Sequence, residues 1–342
     1  VKFKLFYIPF IVFLISLAIF GTRTAIYRCN IARVINKAGK NGWPILVCSG
    51  TDRRHEALAV YTLDGSSAPL ITSNINSYDL YGEKFFDSDG TFYIAERYVY
   101  RFRFPACIST RSRISHWDTF VNLYKPYSTH IGYGKASWVI YDFTTPLEFK
   151  FVDMVSSDVA IFPLKNAPPW AEAAKDSYEV RFFVRQTRDY LFTTETHLDV
   201  EKRDAGLEPY HTVELWKYNI QSGEWSHIID GGSDVRFDVD SDGNYACLQL
   251  STHSLKFIDL TSGDVFMELE PSRNPFFGKR WFMCNSFIID RNSRSFPLVL
   301  FDLENNWEKY VVNIGSGFSY ALYEPPPDGL AGMGDRWKHN QR

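Results

Sequence analysis

An all-β chain built from a repeat of about forty residues, led by one apolar helix, is the fold class this sequence predicts. Three observations carry the prediction. An uncharged apolar run opens the chain, Asp-Ser-Asp-Gly occurs twice, and strand–turn–strand patterns recur at regular spacing. Aromatic residues make up 17% of the 342 positions, a bias that favours strands over helices.

Composition narrows the function classes. The formal net charge of -3 supplies no global field for nucleic acid, so no nucleic-acid partner is expected. Of the five cysteines, Cys29, Cys48, Cys107, Cys247 and Cys284, most lie in apolar runs, and no CxxC occurs. They read as buried free thiols rather than a disulfide framework.

The first element is VKFKLFYIPFIVFLISLAIFG. Two lysines precede an uncharged run from Leu5 to Gly21, 17 residues long, at the lower limit for crossing a bilayer. Residues 1–24 therefore read as a transmembrane anchor or a signal sequence, with the uncleaved anchor preferred. A buried core helix is the third reading. Arg23, Arg28, Arg33, Lys37 and Lys40 come after the run, and by the positive-inside rule they favour the cytoplasm for the main domain. A short basic segment before an apolar run favours export. Export, to the periplasmic or extracellular side, is the expectation adopted, with the cytoplasmic side left open.

The second element, residues 25–42, has helical spacing of Ile26, Tyr27, Ile31, Val34, Ile35 and Ala38, with Gly39 as a candidate terminator. Arg28, Arg33 and Lys37 avoid that set of positions. They are candidate membrane-surface residues on a basic amphipathic helix. A helix packed on the main domain is the equal alternative.

The third element is the repeat, residues 43–325. Ser233 to Pro271 parses as strand, Asp-Gly turn, strand, short turn, strand, Thr-Ser-Gly turn, strand. Four short strands in about forty residues make one propeller blade. The turn between the third and fourth strands recurs. With Leu63, Phe143, Ile220, Leu260 and Leu303 as markers, the separations are 80, 77, 40 and 43. One degenerate repeat is expected in each long gap, with VYRFRF (99–104) and VAIFPL (159–164) as candidate strands. The prediction is a β-propeller of six or seven four-stranded blades, preceded by an N-terminal transmembrane or signal-anchor helix. Residues 326–342 form a polar tail, read as disordered.

FDVDSDGNYACLQL and FIDLTSGDVF resemble blade segments of the WD40-like and TolB-like β-propeller superfamily, in two or three blades. The resemblance implies fold alone, because propellers host enzymes, scaffolds and ligand binders. The doubled Asp-Ser-Asp-Gly also matches the start of a calcium loop, with Asp238, Asp240, Asp242 and Gly243 in the first positions. Gln249 falls where that loop needs a bidentate Glu, and strands flank both copies. A repeated hairpin turn is the reading, and no metal or cofactor is implied.

Three insertions offer candidate surfaces. Residues 105–130 hold Arg111, Arg113, His116 and Trp117, types suited to binding an anion or sugar by guanidinium forks and indole stacking. Residues 165–177 read as a connector between blades. Residues 194–212 read as a charged loop containing His197, Asp199, Glu201 and His211. In ERYVYRFRF, Arg97, Arg101 and Arg103 fall on one strand face, a positive stripe for lipid phosphate or an acidic partner. Catalytic signatures are missing: there is no GxSxG, HExxH, P-loop or GxGxxG before a helix. The expected function is a membrane-anchored propeller serving as an interaction module or accessory subunit, with a protein partner in or at the membrane. The alternative is an envelope propeller that binds or cleaves a glycan or other anionic small ligand.

Overall fold

Each of six four-stranded antiparallel sheets in the computed structural model buries both of its faces against its neighbours. The structure describes residues 2–52, 55–70, 83–87, 90–95, 98–103, 108–113, 127–132, 135–141, 147–171, 181–198, 204–206, 211–231, 236–251, 254–269, 272–286, 288–290, 293–295, 297–314 and 317–324. One helix, α1 (Lys2–Asn41), precedes the sheets.

The first blade holds β1 (Ile45–Asp52), β2 (His55–Tyr61) and β3 (Ser67–Pro69). The second holds β4 (Glu83–Phe86), β5 (Phe92–Ala95), β6 (Tyr98–Arg103) and β7 (Ile108–Arg113). The third holds β8 (Tyr127–Gly132), β9 (Lys135–Tyr141), β10 (Glu148–Asp153) and β11 (Val159–Pro163). The fourth holds β12 (Arg181–Gln186), β13 (Tyr190–Leu198), β14 (His211–Asn219) and β15 (Trp225–Gly231). The fifth holds β16 (Arg236–Val239), β17 (Tyr245–Ser251), β18 (Ser254–Asp259) and β19 (Val265–Leu269). The sixth holds β20 (Ser272–Phe277), β21 (Trp281–Ser286), β24 (Leu298–Asp302) and β25 (Glu308–Val312), with the hairpin β22 (Ile288–Asp290) and β23 (Ser293–Ser295) inserted before β24. The last strand, β26 (Gly317–Tyr323), pairs with β1 and completes the first blade. The innermost strands β26, β4, β8, β12, β16 and β20 ring the axis, as the contacts of β26 with β4, β8 with β12 and β16 with β20 require.

Among the described residues the core is six clusters, one per blade interface. Phe192 and Leu215 of the fourth blade meet Phe237 and Leu248 of the fifth. Phe257 of the fifth meets Phe282 and Phe301 of the sixth. Trp281 and Leu300 of the sixth meet Leu46 and Leu322 of the first. A blade that is apolar on both faces has no stable isolated form, so burial makes the ring cooperative.

The turns explain the spacing. Asp259 accepts the N–H of Thr261 at 2.8 Å and Ser262 at 3.1 Å, and Gly263 comes next at φ 80. Asn219 does the same for Gln221 and Ser222, with Gly223 at φ 80. Asp153 does it for Val155 and Ser156, with Ser157 at φ 65. The third blade's marker is therefore Met154. The sequence marker Phe143 falls between β9 and β10, one turn too early, at a position outside the described residues. Met154 and Ile220 belong to consecutive blades, so no repeat hides between them and the count is six. The other expected hidden repeat is real: VYRFRF supplies β6 of the second blade, and VAIFPL supplies β11 of the third.

Asp-Ser-Asp-Gly falls between the innermost strand and the next in both copies, with residues 88 and 89 of the first copy outside the described residues. Asp240 accepts the N–H of Asn244 at 2.7 Å and Tyr245 at 2.8 Å, and Gly243 sits at φ 75. Asp87 accepts the N–H of Thr91 at 3.0 Å, and Gly90 sits at φ 80. Both glycines occupy the left-handed region that favours this residue.

α1 is unbroken through residues 24 and 39 and ends at Asn41. The N–H of Trp43 bonds the carbonyl of Ala38 at 2.9 Å, and the N–H of Gly42 bonds that of Gly39 at 3.3 Å. With Gly42 at φ 64, this is a Schellman stop. Gly42, not Gly39, is the terminator. Ile31, Val34, Ile35 and Ala38 are buried in the same cluster as Val47, Leu58, Phe92 and Phe102 of the first two blades.

Candidate functional site

Two features stand out: the free half of α1, and the propeller face carrying the longer connections. Strand direction fixes the two faces. On one, β16–β17, β18–β19 and the other described turns that join a first strand to a second or a third to a fourth are tight. At the other, the second strands and the outermost strands end; the connections that follow them, residues 71–82, 114–126, 164–180 and 199–210 among others, are longer in sequence and lie largely outside the described residues.

The sequence-predicted residues distribute unevenly over this frame. His116, Trp117 and Arg97 lie outside the described residues. Arg111 and Arg113 are on β7, opposite Tyr100 and Tyr98, so residues 105–130 are not one loop. Their ends are the outer strand of the second blade and the inner strand of the third. Arg113 ends β7 on the face of the longer connections. Arg101 and Arg103 run towards the opposite face. Arg103 is exposed, whereas Arg101 is half-buried with its guanidinium 5.6 Å from the ring centroid of Tyr93. Arg101 thus faces the second-to-third blade interface, where Val99 of the same strand face is buried. Its Nε is buried with no hydrogen-bond acceptor among the described residues. The Tyr93 hydroxyl donates to Asp87 at 3.0 Å, and burial with that carboxylate pushes its pKa up to about 12.

Residues 194–212 are shorter as a loop than expected. β13 continues to Leu198 and β14 starts at His211, directly paired with it. Asp199 and Glu201 lie outside the described residues. Residues 165–171 do connect blades: Lys165 and Asn166 bond carbonyls of Gln221 and Gly223, and Trp170 is buried between the third and fourth blades.

On α1, Arg28 and Arg33 are exposed. Lys37 is paired with Asp64 and donates to Ser66 Oγ at 2.9 Å. The Lys37 ammonium holds the Asp64 carboxyl well below its ordinary range. Lys37 is thus a fastener between α1 and the first blade. Preceding turns present bare apolar surface: Val12, Phe13, Leu17 and Ile19 are 52–59% exposed. The segment Ile11–Asn41 is long and apolar enough to cross a membrane by length and composition.

Sequence reasoning missed the inner-ring contacts. Asp238 is paired with Arg185 of the fourth blade and accepts the N–H of Phe277 of the sixth at 2.6 Å. Burial pushes its carboxyl up, while Arg185 and that N–H pull it back. Gln249 accepts the N–H of Asn274 at 2.9 Å. Both ends of the calcium-loop match therefore brace neighbouring blades. Contacts between residues 39 and 53 positions apart leave no local signal in the sequence.

No protein-family model matches the chain, and no curated protein matches it in sequence. Among solved structures it is similar to TolB from Acinetobacter baumannii, with 13% identity and a TM-score of 0.51 over 83% of this chain and 67% of that one. AztD from Citrobacter koseri matches at 10% identity with a TM-score of 0.41, over 82% of this chain and 97% of that one. At these identities the likeness concerns fold alone. The chain is a six-bladed β-propeller, closed by its own last strand, and shares its fold with TolB.

Proposed function

We propose that the chain is a membrane-anchored β-propeller that serves as an interaction module or accessory subunit of a membrane complex, with the propeller on the exported side. One observation carries the reading. α1 bares a run of large apolar side chains from Ile11 to Ile19, while its last turns are built into the propeller core. Bare apolar surface on this scale is disfavoured in water and suits lipid. A rigid ring on such a stem offers its face of longer connections, with Arg113 at the rim, to a partner beside the membrane.

Purification of the full chain from native membranes in mild detergent, with cross-linking and mass spectrometry, tests the reading. One stoichiometric membrane protein, cross-linked to residues near Arg113, is the expected result. A monodisperse chain with no co-purifying membrane protein would sink it.

A further inference from the structure

Six strands form the rim of the ring: β3, β7, β11, β15, β19 and β25. A rim strand leaves a row of N–H and C=O groups open to another chain, and charged side chains are a common guard against that pairing. β7, β15, β19 and β25 each contain at least one charged residue, and β3 lies against α1. β11 reads VAIFP and has neither protection. Val159 is 58% exposed and Ile161 60%, with Ala160 and Pro163 exposed beside them. Among the described residues β11 pairs with β10 alone.

The ladder decides which groups are open. The N–H of Leu164 bonds the carbonyl of Leu147 at 2.6 Å, and the N–H of Asp153 bonds that of Asp158 at 2.9 Å. Bonded positions alternate in an antiparallel pair. Residues 158, 160, 162 and 164 therefore turn their backbone groups to β10, while Val159, Ile161 and Pro163 turn theirs outwards. Val159 and Ile161 share one face of the sheet with Glu148 and Lys150, which form an ion pair at 3.3 Å, so that face carries no net charge there.

We infer that β11 is a self-pairing edge: it joins β11 of a second copy of this chain, antiparallel about a two-fold axis through Ile161. A two-fold pairing keeps each face of the sheet continuous only when one residue lies opposite itself. At Ile161 the open groups match. Its N–H reaches the Ile161 carbonyl of the second copy, and the N–H of Val159 reaches the Pro163 carbonyl. Pro163 has no N–H to give, so the ladder ends there. The exposed side chains then form one apolar row across the joint, Ile161 beside Ile161 and Val159 beside Pro163. Charge favours the same occupant. Asp158 precedes the apolar stretch, and Lys165 follows it. Antiparallel pairing sets the acidic end of each strand at the basic end of the other. A guest strand of another sequence gains the hydrogen bonds without this match. The pairing does not depend on α1 being in a membrane.

Sedimentation of the full chain in mild detergent counts the copies, and two per particle is the expected result. Ile161→Lys sets two ammonium groups against each other and should raise the dissociation constant at least ~10-fold, with thermal unfolding unchanged at so exposed a position. Cysteine cross-linking locates the joint. A residue bonded opposite itself lies about 5.5 Å from its copy between Cα atoms, within disulfide reach. In a Cys29→Ser background, Ile161→Cys should give a covalent dimer on mild oxidation, and Val311→Cys, 49% exposed on β25, should not. One copy per particle at every concentration would overturn the pairing, as would a dimer indifferent to I161K or the absence of a cross-link in I161C. Cross-linking of I161C to a different protein would overturn the second copy as occupant. If I161K fails to fold, the two cysteine variants decide.

Discussion

The two halves of α1 carry similar apolar residues and meet opposite surroundings. Val12, Phe13, Leu14, Ile15 and Leu17 are exposed, whereas Ile31, Val34, Ile35 and Ala38 are 0–5% exposed. Helix propensity cannot produce this contrast, because the helix is continuous. Packing produces it. The C-terminal turns cover apolar side chains of the first two blades, such as Leu58, Val60 and Leu70. Among the described residues, none of the propeller covers the N-terminal turns. The first half presents bare apolar surface, and the second is part of the domain.

Truncation should separate the halves most sharply. Removal of residues 1–24 should leave the melting temperature of the propeller within a few degrees. Removal of residues 1–42 should lower it drastically or prevent folding, because burial of Ile31, Val34 and Ile35 is worth about 1.5–3 kcal/mol each. Thermal unfolding of the two truncated chains checks this. Similar stability for both would show that the second half is not part of the core.

Point substitutions sharpen the same contrast. Ile35→Asp should destabilise the propeller by several kcal/mol, because it buries an unpaired carboxylate. Phe13→Asp should leave unfolding unchanged and weaken membrane partitioning, at about 2.5–3.5 kcal/mol for an Asp near a helix centre. Denaturant titration and vesicle flotation report the two effects separately. At the junction, Gly42→Ala should cost about 1 kcal/mol, because φ 64 there disfavours any Cβ. The smallest effect belongs to Lys37→Ala, at under ~1 kcal/mol for an exposed pair. That difference should vanish in acid. The Asp64 carboxyl is held low when folded, so its contribution is present above the unfolded pKa and lost as pH falls through the folded one.

Much of the fold was legible because its turns use local chemistry. Asp259, Ser262 and Gly263 form a side-chain-capped turn that sequence alone displays. Where Ser157 replaces the glycine at φ 65, the same turn leaves no pattern, and Phe143 took its place as marker. Polar strands such as ISTRSR of β7 lack the alternation that marks a strand, so they read as loop. The candidate surfaces were less legible. Arg101 looked like part of an exposed stripe because alternation gives the face, not what the next blade lays over it. The inner-ring pair Arg185–Asp238 and the bonds of Glu324 to the β20–β21 turn are contacts across blades, and single-strand patterns do not encode them.

The most direct test of the central claim is alkaline carbonate extraction of native membranes, comparing the full chain with one lacking residues 1–24. The account predicts that the full chain stays with the membrane pellet while the shortened chain is released as a folded propeller. Release of the full chain into the carbonate supernatant would contradict the anchor and the function built on it.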